Sequence, residues 1–154
     1  QYTLQPYGIT EYEGSLYAAV TSPEWDGVRN FKVDRFHNVE LQSEHFERSA
    51  DFDLKEHLAY SFGIYHQDGD PFLVKVRFAP EAARYVSEKV WHVSQTLEQE
   101  DDGSVILNVE LSSTRSFMSW VLGFRSAATV LEPESFVEEM RNEIAAMSVN
   151  YPAG

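Results

Sequence analysis

The pattern of hydrophobic and polar positions divides the chain into a β-rich first part and a mixed second part. In residues 1–66, short apolar runs such as 16–21 alternate with turn-forming residues every few positions. Closely spaced short strands of this kind favour a small barrel or sandwich. The segment 51–53 carries two aspartates, one of which can cap a short helix. We predict turns within 6–8 and 11–15, a loop over 22–27, and strands over 28–34 and 36–41.

The second part alternates strands and helices. Residues 72–78 alternate apolar and polar side chains, which is typical of a half-buried strand. Asp101-Asp102-Gly103-Ser104 is a strong hairpin signal between two further strands. The resulting order, β-α-β-β-α-β, is the ferredoxin-like arrangement. A last amphipathic helix follows Pro133, with an apolar stripe formed by Phe136, Val137, Met140, Ile144 and Met147.

A polar segment with a glycine and a proline, residues 66–71, is the best candidate for a linker between the two parts. We therefore predict two domains, 1–66 and 67–154, in a chain of 154 residues. The predicted fold class is α+β. The strands of the first part indicate a small barrel, and the second part indicates a ferredoxin-like domain with a terminal helix.

Composition excludes several classes of function. The formal net charge is −13, so any nucleic-acid site must be a local basic patch within a repelling surface. The chain has no cysteine, which excludes disulfides, thiolate catalysis and cysteine-bound zinc. No apolar run approaches the length of a membrane span, so we expect no membrane partner. The absence of cysteine fits a reducing compartment, and we expect a cytoplasmic protein. We expect no cofactor and no metal, since the five histidines form no zinc-binding pattern.

The most informative segment is residues 27–36, which places cations around an aromatic ring. If it is one extended strand, Arg29, Phe31, Val33 and Arg35 share a face. The two guanidinium groups could then hold phosphates about 20 Å apart while Phe31 stacks on a base. The alternative is that Phe31 and Val33 enter the core and the arginines extend to solvent.

Other polar and aromatic residues have both a functional and a structural interpretation. Lys75 and Arg77 share the face of their strand that helices would not cover, where they could bind a nucleic acid or simply aid solubility. Trp25, in the predicted loop, could stack on a base or pack within the loop. We expect a capping or packing role for His92. No catalytic motif is present, so an enzyme has almost no positive support.

Several short motifs run along the whole chain: Pro6-Tyr7-Gly8, Gly14 to Ala18, Arg29-x-Phe31-x-x-x-Arg35, Phe52-Asp53 to Phe62-Gly63, residues 76–95, and Val130-Leu131-Glu132-Pro133. In their order and spacing, these motifs together resemble the WYL-domain family of bacterial transcriptional regulators, followed by that family's C-terminal extension. Tyr17 stands at the family's tyrosine position, although Leu16 and Ala18 replace the tryptophan and leucine that name the family. Arg125 is a further departure, because glycine is expected there.

The resemblance implies a partial Sm-like (SH3-like) barrel that senses a ligand, followed by a ferredoxin-like domain. The implied partners are single-stranded nucleic acid or a nucleotide effector, DNA through an N-terminal winged helix-turn-helix that this chain does not include, and a second copy of the chain in a homodimer. The predicted site residues are Tyr17, Arg29, Phe31, Arg35 and Arg77. The alternative function is a structural homodimerisation or protein-interaction module that binds no ligand.

Overall fold

The computed structural model describes residues 1–64 and 70–151 and has an α+β fold, as predicted. The first sheet has three antiparallel strands in chain order, and the second has four. Within the described residues, four α-helices accompany these sheets. The first sheet consists of β1 (Gln5–Tyr12), β2 (Ser15–Ser22) and β3 (Trp25–Lys32).

The predicted turn at residues 6–8 is wrong, because β1 runs through it. The pairing of β1 with β2 shifts register between Pro6 and Gly8, which leaves Tyr7 in a bulge. A bulge lets a strand continue past a proline, which has no N–H for the ladder. A side chain at Gly8 would place its Cβ 3.0 Å from Leu54 Cδ2, so glycine allows the strand to approach the next element closely.

The predicted turn within residues 11–15 is confirmed. Tyr12 pairs with Ser15, so β1 and β2 are joined by Glu13 and Gly14 alone. Both linking residues have positive φ angles, 49° and 74°. Two such residues form the turn whose twist matches that of a two-stranded ribbon.

The strand predicted over 28–34 is confirmed over residues 28–32, but the strand predicted over 36–41 is wrong. β3 begins earlier, at Trp25, and a 3₁₀ turn over Val33–Arg35 ends it. The N–H of Phe36 donates to the Val33 carbonyl at 3.0 Å, and the Phe36 ring returns to within 6.3 Å of the Phe31 ring. Residues 36–41 form no strand. Burial of Phe36 against β3 therefore overrides the β propensity of this stretch.

A short helix, α1 (Leu54–Leu58), follows, and its predicted aspartate cap is confirmed. Asp53 accepts hydrogen bonds from the backbone N–H groups of Lys55 and Glu56, at 2.7 and 2.9 Å. The chain then contacts the second part of the molecule before residue 65. The Tyr60 carbonyl accepts from the N–H of Ser112 at 2.9 Å. The predicted linker falls largely on residues 65–69, which lie outside the described residues, so the domain boundary stays a prediction.

The second part has the predicted element order. The elements are β4 (Phe72–Phe78), α2 (Pro80–Ser87), β5 (Thr96–Gln99), β6 (Val105–Leu111), α3 (Arg115–Leu122), β7 (Ala128–Glu132) and α4 (Glu134–Val149). The sheet has the strand order β5-β6-β4-β7 with every neighbouring pair antiparallel. One face of the sheet packs on the helices and forms the core, in which Val74, Val76 and Phe78 are fully buried.

β5 begins only at Thr96, because the residues before it form a turn. The Gln95 side chain accepts from the backbone N–H groups of Trp91 and His92, and the backbone N–H of Gln95 donates to the His92 carbonyl at 3.1 Å. These bonds prevent residues 93–95 from joining the sheet. The hairpin predicted at residues 101–104 is confirmed, with Gly103 at φ +85°.

The last helix is docked only over its first half. Phe136 is fully buried, and Val137 and Met140 pack against the core. From residue 141 to residue 150 every position is exposed, including Ile144 and Met147. None of the helices in the described residues is long and apolar enough to cross a membrane.

Candidate functional site

Three side chains on β3 form the candidate site, which we call the arginine–aromatic patch: Trp25, Arg29 and Phe31. The guanidinium carbon of Arg29 lies 4.8 Å from the centroid of the Trp25 ring, a cation–π contact. The Trp25 and Phe31 rings are 5.9 Å apart. The positive charge is therefore held beside a continuous aromatic surface.

Neighbouring rings extend this surface at both ends. Tyr2 meets Trp25 edge-on at 5.4 Å, and Phe36 lies beyond Phe31. Phe31 is half-buried, so it partly satisfies both interpretations of the sequence: it packs on its neighbours and still reaches the surface. The indole N–H of Trp25 is buried and has no hydrogen-bond partner among the described residues.

Arg29 differs from several other cations of this chain because no carboxylate of the described residues neutralises it. Its side chain is exposed, and it makes no hydrogen bond or ion pair within residues 1–64 and 70–151. By contrast, Lys75 pairs with Glu132 at 3.0 Å, and Arg84 pairs with Glu88 at 2.8 Å. In a chain of net charge −13, an arginine without a paired acid is available to an anionic ligand.

Arg35 does not share the strand face that the sequence predicted. It lies in the 3₁₀ turn beyond β3, so the alternation that places Arg29 and Phe31 together ends at Lys32. The side chain is exposed and forms no ion pair with another residue of the described ranges. The prediction that two phosphate sites lie along one face of a single extended strand is therefore wrong, although the side chains of Arg29 and Arg35 are both exposed.

Tyr17 is on the opposite face of the sheet from the patch. It is paired with Lys32, whereas Ala18 is paired with Phe31 and Val20 with Arg29. Directly paired residues share a face, and successive residues alternate. Tyr17 and the patch therefore cannot contact one ligand on one side of the sheet.

Arg77 lies in β4 of the second sheet, apart from the patch in the sequence, and its guanidinium group already bonds to two carboxylates. Its guanidinium bonds to the carboxylates of Glu100 and Asp102, which project from the β5–β6 hairpin. The hydroxyl of Ser104, and then Arg77, lower the pKa of Glu100, and Ser104 likewise lowers the pKa of Asp102. Bonding to these acids raises the pKa of Arg77. A phosphate would have to displace two carboxylates here.

Trp25 was predicted to lie in a loop over residues 22–27, but it is the first residue of β3. The β2–β3 connection contains only Pro23 and Glu24, since Ser22 pairs with Trp25. This tight connection places Trp25 on the sheet beside Arg29, where we predicted a longer loop. The spacing of four residues between Trp25 and Arg29 was visible in the sequence, but no short-range pattern fixed the length of the hairpin. Within the described residues, no cluster of three or more potential metal ligands is present.

Two domain families match the chain. The WYL domain matches residues 1–41, and the WCX domain matches residues 70–148. The WCX match alone spans more than half of the sequence. The chain therefore belongs to the WCX-domain family, with a WYL domain matched before the WCX domain, and the resemblance inferred from its motifs is confirmed.

Among the solved structures similar to the chain is proteasome accessory factor B/C (PafBC) of Arthrobacter aurescens, at 20% sequence identity and a TM-score of 0.46. The similarity covers 97% of this chain and 22% of that one. The chain thus spans about a fifth of the length of PafBC. A comparison with curated proteins finds no match.

Proposed function

We propose that this chain is the ligand-sensing region of a transcriptional regulator and that the arginine–aromatic patch binds a phosphate-bearing ligand, either single-stranded nucleic acid or a nucleotide. In the same proposal, the three-stranded sheet belongs to an Sm-like barrel, and the second sheet, with its order β5-β6-β4-β7, to a ferredoxin-like domain. The DNA-reading domain, elsewhere in the protein, would have two arrangements relative to this region. Ligand binding would shift the balance between these arrangements, provided that the ligand's affinity for the protein differs between them.

The observation that carries the proposal is the unpaired guanidinium of Arg29, held on the Trp25 ring beside Phe31. Guanidinium forms bidentate, charge-assisted hydrogen bonds with phosphate, and its contact with Trp25 leaves those N–H groups free to do so. Phe31 and its neighbours offer aromatic surface for a base. Arg35 would add a second cation from the adjacent turn. Tyr17 and Arg77 have no part in this version of the site.

Substitution of Arg29 tests the proposal. Arg29→Gln should weaken binding of a fluorescently labelled single-stranded oligonucleotide by about tenfold or more, because a hydrogen bond to a charged group contributes roughly 1.5–3 kcal/mol. The matched control is Arg84→Gln, which removes the same charge from an exposed arginine on α2. Equal affinity of the two variants would show that the patch does not bind the phosphate.

A second function, homodimerisation, is favoured by a separate observation. Ile144 and Met147 are 54% and 45% exposed at the end of α4, where no described residue covers them. A second copy of the chain could bury this surface, and the dimer would then set the spacing of the DNA-reading domains. Dimerisation without any ligand is the alternative function of the whole chain.

Light scattering tests the dimer. Ile144→Glu combined with Met147→Glu should convert a dimer to a monomer, since two charges would have to be buried at the interface. The control, Asn142→Glu combined with Asn150→Glu, adds the same charge at exposed positions off this stripe. A dimer that persists in the Ile144 and Met147 variant would exclude this end of the helix as the interface.

A further inference from the structure

An aspartate–glycine pair lies at a bulge of β3, in the same strand as the arginine–aromatic patch. Asp26 and Gly27 are both exposed, and Gly27 has a φ angle of +76°. The register between β2 and β3 shifts here, so that Thr21 alone stands opposite residues 26–28. A bulge interrupts the regular hydrogen-bond ladder and leaves extra residues unpaired. The backbone at this pair is therefore less constrained than the rest of the strand.

An aspartate that precedes a glycine can rearrange in water without a cofactor. The backbone nitrogen of the glycine attacks the side-chain carboxyl carbon, a C–N bond forms, and a molecule of water leaves, which gives a succinimide ring. Water then opens this ring at either carbonyl carbon. Opening at the side-chain carbonyl restores aspartate, whereas opening at the main-chain carbonyl gives isoaspartate, whose main chain passes through the former side chain. Glycine favours the attack because it has no Cβ to crowd the nitrogen.

The side chain of Asp26 is free to take part in this reaction. Its carboxylate forms no hydrogen bond or ion pair within residues 1–64 and 70–151. No contact with a described residue therefore holds the carboxyl carbon away from the nitrogen of Gly27. Exposure of the pair also gives water access to the ring once it has formed.

A second aspartate–glycine pair, at the β5–β6 hairpin, is restrained by its neighbours. Gly103 also has a positive φ angle, +85°. The Asp102 carboxylate accepts from the backbone N–H of Ser104 at 2.9 Å, and it bonds to the Ser104 hydroxyl and to Arg77. These bonds, those of Ser104 first, lower the pKa of Asp102 and keep it as the charged carboxylate, which loses water less readily than the acid does. The same dipeptide is thus free at one site and held at the other.

We propose that Asp26 is a modification site at which the folded chain forms isoaspartate. The modification adds one carbon atom to the main chain between Trp25 and Arg29. The cation–π contact of these two side chains depends on their present spacing, so isoaspartate at position 26 moves the guanidinium group of Arg29 away from the Trp25 ring. The rearrangement itself requires no ligand, and it occurs whether or not the patch binds a phosphate.

Peptide mapping of the incubated chain tests the proposal site by site. The whole chain is incubated at mildly acidic pH, and isoaspartate is located by electron-transfer fragmentation of its tryptic peptides. Trypsin cleaves after lysine and arginine, so Asp26 lies in peptide 1–29 and Asp102 in peptide 90–115. A third aspartate–glycine pair, at 68–69, lies outside the described residues and in a separate peptide, 56–75.

A parallel incubation in guanidinium chloride measures each site without the influence of the fold. For each aspartate, the rate in the unfolded chain divided by the rate in the folded chain gives its protection. The protection of Asp102 should exceed that of Asp26 by at least about tenfold, because Asp102 must first break hydrogen bonds to its charged group. Equal protection of the two sites, or no isoaspartate in peptide 1–29 of the folded chain, would overturn the proposal.

Two variants check the chemistry and its effect on the patch. Asp26→Glu keeps the charge but cannot form the five-membered ring, so its peptide 1–29 should contain no isoaspartate. Arg77→Gln should narrow the difference in protection by freeing Asp102, and an unchanged difference would refute the role of these bonds. In the incubated chain, the indole N–H signal of Trp25 should split in NMR spectra in proportion to the isoaspartate content, but not in Asp26→Glu. A single unshifted Trp25 signal in modified chain would overturn the effect on the patch.

Discussion

Arg125 adopts a backbone conformation that suits glycine, and we predict that Arg125→Gly stabilises the chain. Its φ angle is +57°, in the left-handed region, and its side chain is exposed. The left-handed conformation costs an L-residue about 1–2 kcal/mol. Glycine avoids that cost but loses about 0.5–1 kcal/mol more conformational entropy on folding. The net gain is therefore about 0–1.5 kcal/mol, with a midpoint of about 0.75 kcal/mol that corresponds to roughly 2–3 °C in melting temperature for a chain of this size.

Thermal and urea denaturation of matched variants check this value. Arg125→Ala is the control, because it removes the same charge and side chain while keeping a Cβ in the left-handed conformation. We expect Arg125→Gly to melt above both Arg125→Ala and the unsubstituted chain. A glycine variant that melts at or below the alanine variant would contradict the argument from backbone strain.

Two further predictions concern the acidic hairpin and the close approach of Gly63 to Tyr12. Arg77→Gln should lower the melting temperature at about pH 7, because Glu100 and Asp102 have lowered pKa values in the folded chain. The difference should begin to narrow below the ordinary carboxyl pKa values of 4.5 and 3.8, where the unfolded chain binds protons, and should be lost as the pH falls through the lowered pKa values of the folded chain. Melts at about pH 7 and about pH 3 check this, and a difference that does not change with pH would contradict it. Gly63→Ala should destabilise the chain by about 1–2 kcal/mol in urea, since Gly63 has φ +86° and a Cβ there would lie 2.6 Å from Tyr12 Oη. Unchanged stability would show that both the backbone and Tyr12 adjust freely.

The second part of the fold could be predicted because burial determines its side-chain pattern. Val74, Val76 and Phe78 alternate with Lys75 and Arg77, and the structure buries the first three while the cations reach the opposite face. The hairpin at residues 101–104 was predictable from its turn residues alone. Local sequence and tertiary structure agree in these elements.

The end of β3 could not be predicted from local pattern. Val33 and Phe36 favour a strand, but packing of Phe36 on Phe31 is a tertiary contact, and it closes a 3₁₀ turn instead. The candidate site was accordingly predicted in part. Arg29 and Phe31 lie on one face as expected, since they are two residues apart within the strand. The placement of Arg35 was wrong because it depended on where the strand ends.

The most direct test of the proposed function is the salt dependence of oligonucleotide binding with and without Arg29. For a single strand, the slope of log affinity against log salt concentration changes by about 0.7 for each phosphate contact. If Arg29 contacts a phosphate, Arg29→Gln should reduce the steepness of this slope by about 0.7, and Arg84→Gln should leave it parallel to that of the unsubstituted chain. Identical slopes for Arg29→Gln and the unsubstituted chain would contradict the account.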